Sequence, residues 1–377
     1  MRPLPSAAAL LTALTFAPIL PGAVSGAGAG ALFDGDAARQ QALGEGVATW
    51  VAAPLQASDY QTGGALYDGE WWFGTYMMSA MGFGQLALEH PEARDRWIAE
   101  MERALERATA KDVRGFDAGK WGEDPLDAVD ALRGDHAAYL GYLDLALSLH
   151  RRLAPEGRFA ALNDAVSDAL EARLQARTRG ILETYPGEGY PVDNCAVIAG
   201  VALRAEATGQ PHPPWLDAWA DRMLEQQLDP DTGLLIQAAR PSDGAHRSQA
   251  RGSGSALCAY FLGFAWPERA RALSGAVKTT LGGDVMGLGV VREYPPGVDG
   301  QGDVDSGPLV MGYSISATGF SLAGARMIGD RDWYTQLYGT ARVFGAPDGH
   351  QFTTGGPLGN AILLAMLTAQ PLGTFGE

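Results

Sequence analysis

The chain has 377 residues, of which 46% are hydrophobic, so it holds enough apolar material for one large core. Length alone allows either one domain or two of ordinary size. The formal net charge of −16 repels phosphate backbones and anionic lipid headgroups, so we expect neither nucleic acid nor a membrane surface as a partner.

The N-terminus has the pattern of an export signal. Arg2 is the only early charge, an apolar run covers 7–20, and Ala27-Gly28-Ala29 offers a small-x-small cleavage pattern. The apolar run is shorter than the roughly 20 residues that span a bilayer. We therefore predict a signal peptide over 1–29 and a periplasmic or secreted protein, with a retained N-terminal membrane anchor as the alternative.

Helical periodicity dominates the rest of the chain, and strand-like alternation is scarce outside short stretches such as 233–237. The pattern predicts about twelve helices. In chain order they cover 35–53, 70–89, 92–110, 134–152, 156–176, 193–208, 213–228, 251–264, 267–281, 309–328, 330–343 and 357–369.

These helices alternate in kind. Helices such as 92–110 and 213–228 carry one apolar stripe among charged residues, which is typical of a helix with one buried face. Helices such as 309–328 and 357–369 are apolar nearly all round and rich in small residues, so they need cover on most sides. Six outer helices alternating with six inner ones predict an all-α fold, an (α/α)6 toroid, as a single domain over 30–377. A large irregular helical bundle is the alternative.

The links between helices also alternate. Links from an inner to an outer helix are short, whereas links from an outer to an inner helix are long and rich in acidic and aromatic residues. If the toroid is right, six such loops converge on one face, where long loops usually carry function. The candidate catalytic residues in these loops are Asp135, His136, Cys195, Asp193, Glu70 and Asp68. The candidate substrate-binding residues are Trp71, Trp72, Tyr76, Trp121, Tyr190, Arg251, Tyr294, Asp303, Asp305 and His350.

Carboxyl groups held against Trp and Tyr lose hydration, so their pKa values rise and they can act as acids near neutral pH. Each candidate also has a simpler interpretation. Asp68, Asp193 and Asp305 can be helix caps, and His136 can be a core histidine beside a capping Asp135. Trp71 and Trp72 can be wall or core residues. The indication of a site comes from the convergence of the six loops, because no single motif is specific.

Cys195 and Cys258 both lie in apolar helical stretches, where buried free thiols are common. We favour two free thiols over a disulfide, although an oxidising compartment permits the pair. The two cysteines and six histidines show no metal-binding spacing, so the sequence predicts no metal site.

The chain from 70 to 345 resembles the linalool dehydratase-isomerase family. The similar stretches are Trp121 to Pro125, then Gly134-Asp135-His136, then Pro191 to Cys195, and further on Gly302-Asp303-Val304-Asp305-Ser306-Gly307 and Ser316-Ala317-Thr318-Gly319-Phe320. The resemblance implies an α/α toroid in the periplasm with a cofactor-free acid–base site. Members of that family dehydrate or isomerise a small tertiary allylic alcohol and form rings, which implies a possible homo-oligomer.

The chain departs from that family at its site. The family uses two cysteines; Cys195 fits the second, but the first falls near Pro186 or Tyr190. The family histidine aligns to Asp135 rather than His136, and a family tyrosine falls on Ser253.

Three functional hypotheses follow. The first is a lyase or isomerase acting on a small hydroxylated, terpenoid-like molecule, with Asp135 or His136 and Cys195 moving protons. The second is an inverting glycoside hydrolase or another carbohydrate-active enzyme acting on an oligosaccharide, with Glu70 and Asp135, or Asp193 and Asp305, as the carboxyl pair. The third is a non-catalytic protein that binds a small molecule or glycan.

Overall fold

The computed structural model describes residues 20–375. Its α-helices, numbered in chain order, are α1 (Leu20–Ser25), α2 (Ala29–Phe33), α3 (Ala37–Ala52), α4 (Ala65–Glu89), α5 (Arg94–Ala108), α6 (Gly115–Trp121), α7 (Ala128–Ala131), α8 (Tyr142–Leu153), α9 (Ala160–Ala176), α10 (Pro191–Ala207), α11 (Pro214–Gln227), α12 (Gly252–Leu262), α13 (Pro267–Leu281), α14 (Ile315–Met327), α15 (Arg331–Gly345) and α16 (Gly356–Leu367).

Six of these helices form a closed inner ring. Helix α4 packs on α8, α8 on α10, α10 on α12, α12 on α14, α14 on α16, and α16 returns to α4. These helices are mostly buried on all sides, as expected from their apolar and small residues. Ring closure lets each apolar helix bury itself against two neighbours of the same kind.

The other long helices form the outer layer. Helices α3, α5, α9, α11, α13 and α15 each pack against inner helices and bury one stripe. In α5, for example, Trp97, Met101, Ala104 and Leu105 are buried while the rest of the helix is more exposed. The fold is therefore the predicted (α/α)6 toroid.

Short links join each inner helix to the next outer helix, and long segments join each outer helix to the next inner helix. All six inner helices therefore begin on one face of the toroid. The long segments contain three antiparallel hairpins: β1 (Gly282–Val285) with β2 (Leu288–Val291), β3 (Leu309–Val310) with β4 (Tyr313–Ser314), and β5 (Pro347–Asp348) with β6 (Gln351–Phe352).

Several predicted helix starts differ by a few residues from the observed ones, and two of the differences change the type of local structure. The helix predicted over 309–328 begins at Ile315, because Met311 and Gly312 adopt left-handed backbone conformations and close the β3–β4 hairpin. The helix predicted over 134–152 begins with a π-helical turn, Ala137–Gly141, that runs directly into α8. Both differences lie in the face where the inner helices begin. The predicted strand-like stretch 233–237 makes only isolated β-bridges.

Most of the predicted signal segment, 1–19, lies outside the described residues. Residues 20–29 pack on the body: the Gly22 N–H donates to the carbonyl of Met286, and Arg342 donates to the carbonyls of Ser25 and Ala27. The extent of the signal peptide stays a prediction. Within 20–375, no helix combines the length and hydropathy needed to cross a membrane.

Candidate active site

Glu70 lies in the second turn of α4, at the start of the inner ring. The Tyr185 hydroxyl, from the segment before α10, donates a hydrogen bond to its Oε1 atom. Burial raises the pKa of Glu70 to about 7 despite that hydrogen bond, and the charges of Asp305 and Asp193 raise it further. Lys120 acts in the opposite direction. Glu70 therefore titrates near neutral pH, as a general acid or base requires.

Asp193 lies in the first turn of α10 and is 7% exposed. The Tyr142 hydroxyl donates to its Oδ1 atom over 2.9 Å, and the Thr184 hydroxyl donates to its Oδ2 atom over 2.6 Å. Burial raises its pKa to about 6, while these two hydrogen bonds lower it. Both carboxylate oxygens are occupied, so Asp193 is fixed in place.

Asp305 lies in the turn between Asp303 and Gly307, before α14. Its side chain is in contact with solvent, yet protein surrounds it closely enough that lost hydration raises its pKa to about 6. The negative charge of Asp303 adds to the shift, and Arg251 opposes it. A carboxyl of this kind can reach both water and a bound molecule.

These three carboxyls form one electrostatic cluster. The charges of Asp193 and Asp305 both raise the pKa of Glu70, and Asp305 raises that of Asp193. All three raise the pKa of Tyr142, which burial already places well above its usual value. The carboxyl cluster, meaning Glu70, Asp193 and Asp305, thus comes from three different long segments or the helices they lead into, as the convergence of loops predicts.

A second group of charged residues, Arg251, Glu293 and Asp303, lies beside the carboxyl cluster and positions the turn that carries Asp305. Arg251, 5% exposed at the start of α12, donates to Oε1 of Glu293 over 2.7 Å and to Asp303 through both terminal nitrogens. Burial acts against ionisation of Asp303, but the bonds from Arg251 hold its pKa at about 2. Ser253 also donates to Glu293, and the ring of Tyr294 lies 5.7 Å from the Arg251 guanidinium. Arg251 and Asp303 therefore fix the Asp305 turn, and the Arg251 guanidinium is not free to bind an anion.

Three predicted acid–base residues have other roles. Asp135 accepts from Arg177 over 2.5 Å and from the Glu183 N–H over 2.8 Å, so it ties the segment before α8 to the segment between α9 and α10. Asp68 accepts from the hydroxyl and the N–H of Thr62, which lowers its pKa. His136 is fully buried and bonded to Asp117 rather than to the carboxyl cluster.

The predicted role of Cys195 in proton transfer is wrong, as is the preference for two free thiols. Cys195 and Cys258 form a disulfide, with their Cα atoms 5.5 Å apart. Both residues are fully buried and join the neighbouring inner helices α10 and α12. A disulfide sulfur carries no titratable proton, so the site contains no thiol chemistry.

The predicted aromatic residues divide into lining and core. Tyr190 is partly buried and donates to Glu188 over 3.1 Å, within the electrostatic range of Asp193. Trp72 and Tyr76 are buried and bonded to each other, so they are core residues. The remaining two tryptophans are partly buried: Trp71 packs against the core, and Trp121 stacks on His136.

His350 lies exposed between strands β5 and β6. Its carbonyl oxygen lies against Gly46 of α3, and no contact of its side chain with the carboxyl cluster is present in the described residues. Its role in substrate binding stays a prediction, and it requires a ligand long enough to extend from the carboxyl cluster to the β5–β6 hairpin.

Sequence reasoning missed several residues around the cluster. Tyr142, Thr184 and Tyr185 hold the carboxylates, while Lys120 and Glu188 form an ion pair of 3.4 Å at the rim. Tyr67 is 41% exposed and responds to the charges of Glu70 and Asp305. These residues lie in or beside the long loops, so the sequence indicated that they belong to the same face. It did not indicate their hydrogen-bond partners, several of which come from other loops.

The described residues contain no group of three or more His, Cys, Asp or Glu side chains arranged to hold a metal ion. The arrangement at the cluster suits proton transfer. Glu70 titrates near pH 7, water can reach Asp305, and hydroxyl groups hold Glu70 and Asp193 in place.

No protein-family model matches the sequence, and no curated protein matches it. Among solved structures, a glycoside hydrolase family 76 α-mannanase from Bacteroides thetaiotaomicron is similar at 10% identity, covering 79% of this chain and 85% of that one, with a TM-score of 0.47. An inactive α-1,6-mannanase variant from Salegentibacter sp., in complex with α-1,6-mannotetrose, has 13% identity, coverages of 79% and 88%, and a TM-score of 0.49.

An unsaturated glucuronyl hydrolase from a Bacillus species has 13% identity, coverages of 79% and 85%, and a TM-score of 0.48. With identities this low and TM-scores below 0.5, these similarities assign no activity to the chain. No family model and no curated protein supports the resemblance to the linalool dehydratase-isomerase family.

Proposed function

We propose that this protein is an enzyme that hydrolyses glycosidic bonds in an oligosaccharide by acid–base catalysis. The observation that carries the proposal is the carboxyl cluster, in which burial and mutual repulsion raise the pKa values of Glu70, Asp193 and Asp305 to between about 6 and about 7. Glycoside hydrolysis needs a carboxyl that gives a proton to the leaving oxygen and a second that acts on the attacking water.

Glu70 is the proton donor in this proposal. Tyr185 occupies its Oε1 atom, and among the described residues its Oε2 atom has no hydrogen-bond partner, so Oε2 can carry the proton. The ionised Asp193, held by two hydroxyl groups, favours the protonated form of Glu70 through its negative charge. Glu70 would transfer its proton to the glycosidic oxygen as the bond to the anomeric carbon breaks.

Asp305 is the base. Its side chain is open to solvent and, within the described residues, accepts no hydrogen bond, so it can bind the attacking water. It would take one proton from that water as the oxygen joins the anomeric carbon. The proton lost by Glu70 and the proton gained by Asp305 balance the reaction, which leaves a reducing sugar and a free hydroxyl.

The lyase or isomerase hypothesis loses support, because its second proton-transfer group was Cys195. The Cys195–Cys258 disulfide removes that thiol, and Asp135 is engaged by Arg177. The polar, tyrosine-rich surroundings of the cluster also suit a hydroxylated ligand better than an apolar terpenoid. Exposed rings such as Tyr67 offer faces on which a sugar can stack.

The test is hydrolysis of a panel of oligosaccharides by the purified protein, followed by chromatography of the products. We expect Glu70→Gln and Asp305→Asn each to lower kcat by at least about 100-fold, the size of a general acid–base contribution. Asp68→Asn is the matched control, since Asp68 lies two residues before Glu70 on α4 but bonds only to Thr62. We expect it to keep activity within about threefold, because the Asp68 side chain bonds to Thr62 and to no member of the carboxyl cluster.

Hydrolysis that survives both Glu70→Gln and Asp305→Asn would contradict the assignment. Binding of oligosaccharides without any turnover would favour the non-catalytic alternative.

A further inference from the structure

His136 and Asp117 form a buried pair outside the carboxyl cluster. Both side chains are 0% exposed, and Nδ1 of His136 lies 2.5 Å from Oδ2 of Asp117. Nε2 of His136, which lies 3.8 Å from Oε1 of Glu123, and Oδ1 of Asp117 have no hydrogen-bond partner among the described residues. His136 also adopts a left-handed backbone conformation with φ of 50°, which costs about 1 kcal/mol or more in a non-glycine residue. The unpaired buried atoms and the left-handed backbone both destabilise the fold, which indicates that the pair has a structural role other than filling space.

The pair docks the short helix α6. Asp117 and Trp121 lie one turn apart on α6, and both contact His136: Asp117 by its hydrogen bond and Trp121 by stacking, with ring centroids 4.5 Å apart. On the same helix, Phe116 packs against Gly69, the residue before Glu70. A helix of seven residues has little stability of its own, so these contacts fix its position.

Docking of α6 places Lys120 at the cluster. The Lys120 ammonium lies 5.1 Å from the ring centroid of Tyr185 and 3.4 Å from Oε1 of Glu188. The Tyr185 hydroxyl donates to Glu70. Contacts therefore run without a gap from the buried pair, through α6 and Lys120, to Tyr185 and Glu70.

We propose that His136 and Asp117 are positioning residues for Glu70: by docking α6 they hold Lys120 against Tyr185 and so keep the Tyr185–Glu70 hydrogen bond in place. Only the catalytic role of Glu70 rests on the proposed function; its position does not. The charged and titratable groups that act on Glu70 are Tyr185, Asp305, Asp193 and Lys120. Of these, Lys120 and Tyr185 lower its pKa, so loss of the docking should raise it.

The test is a pH titration of Glu70 by carbon NMR of the full-length protein labelled at its Glu carboxyl carbons, with the Glu70 signal assigned by its loss in Glu70→Gln. We expect Asp117→Leu, which fills the space but removes the bond, to raise the Glu70 pKa by at least about half a unit. We expect Lys120→Met to raise it as well, because it removes the charge and leaves the buried pair intact. Asp117→Asn can still bond to His136 and should titrate as the wild type does.

The matched control is His150→Leu. His150 is also buried, bonds a carboxylate (Glu102, 3.0 Å) and lies edge-on to an aromatic ring, but it stands at the opposite end of α8. We expect it to lower the melting temperature and leave the Glu70 titration unchanged. An equal shift in His150→Leu, or an unchanged titration in folded Asp117→Leu or in Lys120→Met, would overturn the proposal.

If Asp117→Leu does not fold, Trp121→Leu replaces it, since it removes the ring contact with His136 and leaves the Asp117–His136 hydrogen bond in place, and the same upward shift is expected. This titration needs no substrate. Failure of the positioning proposal is therefore distinct from failure of the hydrolase proposal, which would show as absence of oligosaccharide cleavage with the Glu70 titration shifted as expected.

Discussion

At the scale of single residues, the site depends on surroundings that give chemically similar carboxyls very different pKa values. Asp303 is held ionised by Arg251, with a pKa of about 2, while Asp305, two residues later, has a pKa raised to about 6. The difference comes from the surroundings: Asp303 receives a bidentate guanidinium bond from Arg251, whereas Asp305 loses hydration and is also repelled by Asp303. Such a difference between neighbours in sequence cannot be read from residue type.

The raised pKa values predict a bell-shaped dependence of hydrolysis on pH. The acid, Glu70, must be protonated, so activity should fall as pH rises above about 7; the base, Asp305, must be ionised, so activity should fall as pH drops below about 6. We expect a maximum of kcat/KM between these values, with the two limbs belonging to the coupled cluster as a whole. Initial rates from pH 4 to 9 measure the profile.

Two variants should move the alkaline limb in opposite directions. Tyr185→Phe removes a hydrogen bond that lowers the pKa of Glu70, so the limb should move to higher pH. Asp193→Asn removes a negative charge that raises this pKa, so the limb should move to lower pH. If the alkaline limb moves in the same direction in both variants, a group other than Glu70 controls this side of the pH profile.

At the scale of elements, the inner ring requires helices to approach closely, and glycine permits this at the contact of α10 with α8. A Cβ atom added at Gly200 would lie 2.9 Å from the backbone nitrogen of Leu145 and 2.7 Å from Oδ2 of Asp144. Real Cβ atoms do not approach backbone atoms so closely, so the two helices would have to move apart. The small residues that identified the inner helices in the sequence are therefore packing residues.

Gly200→Ala should lower the free energy of unfolding by roughly 1–3 kcal/mol through overpacking. Gly275→Ala is the matched control: Gly275 lies within outer helix α13, and a Cβ there meets no atom within 4 Å. It should be stabilising by up to about 1 kcal/mol, because alanine favours the helix more than glycine does. Urea unfolding of both variants measures the difference, and equal effects in the two would argue against close packing at Gly200.

At the scale of the whole molecule, the Cys195–Cys258 disulfide joins two neighbouring inner helices across 63 residues of sequence. The N-terminal ends of those helices carry Asp193 and Arg251, so the bond ties the segment of the third loop to that of the fourth. Disulfides persist in oxidising compartments, and the export pattern at 1–29 predicts such a compartment for this protein.

Replacing both cysteines by alanine should lower the free energy of unfolding by about 4 kcal/mol, the value for a loop of this length in the chain-entropy account. A thiol reductant should lower the melting temperature of the wild type and leave that of the double variant unchanged. A wild type whose unfolding is insensitive to reductant, with two reactive thiols detected after unfolding without it, would contradict the disulfide.

The site could be predicted only in part. The long, acidic segments before Glu70, Asp193 and Asp305 indicated one face of a toroid, and the charges of these three carboxyls act on one another there. Asp135 and Cys195 were predicted with the same reasoning and are engaged elsewhere, by Arg177 and by Cys258. Loop position predicts which end of the ring a residue occupies, but not which partner its side chain meets.

The helix pattern of the sequence was enough to predict a toroid and the face at which its long segments lie. Alternating amphipathic and fully apolar helices have only a few ways to bury their surfaces, and a closed ring of inner helices inside an outer layer satisfies both kinds. The identity of the carboxyls in the cluster, the pairing of His136 with Asp117 and the bond between the cysteines could be read from the folded chain alone. Those contacts join residues from separate segments, and their distances depend on ring closure and on side-chain direction, neither of which local sequence pattern encodes.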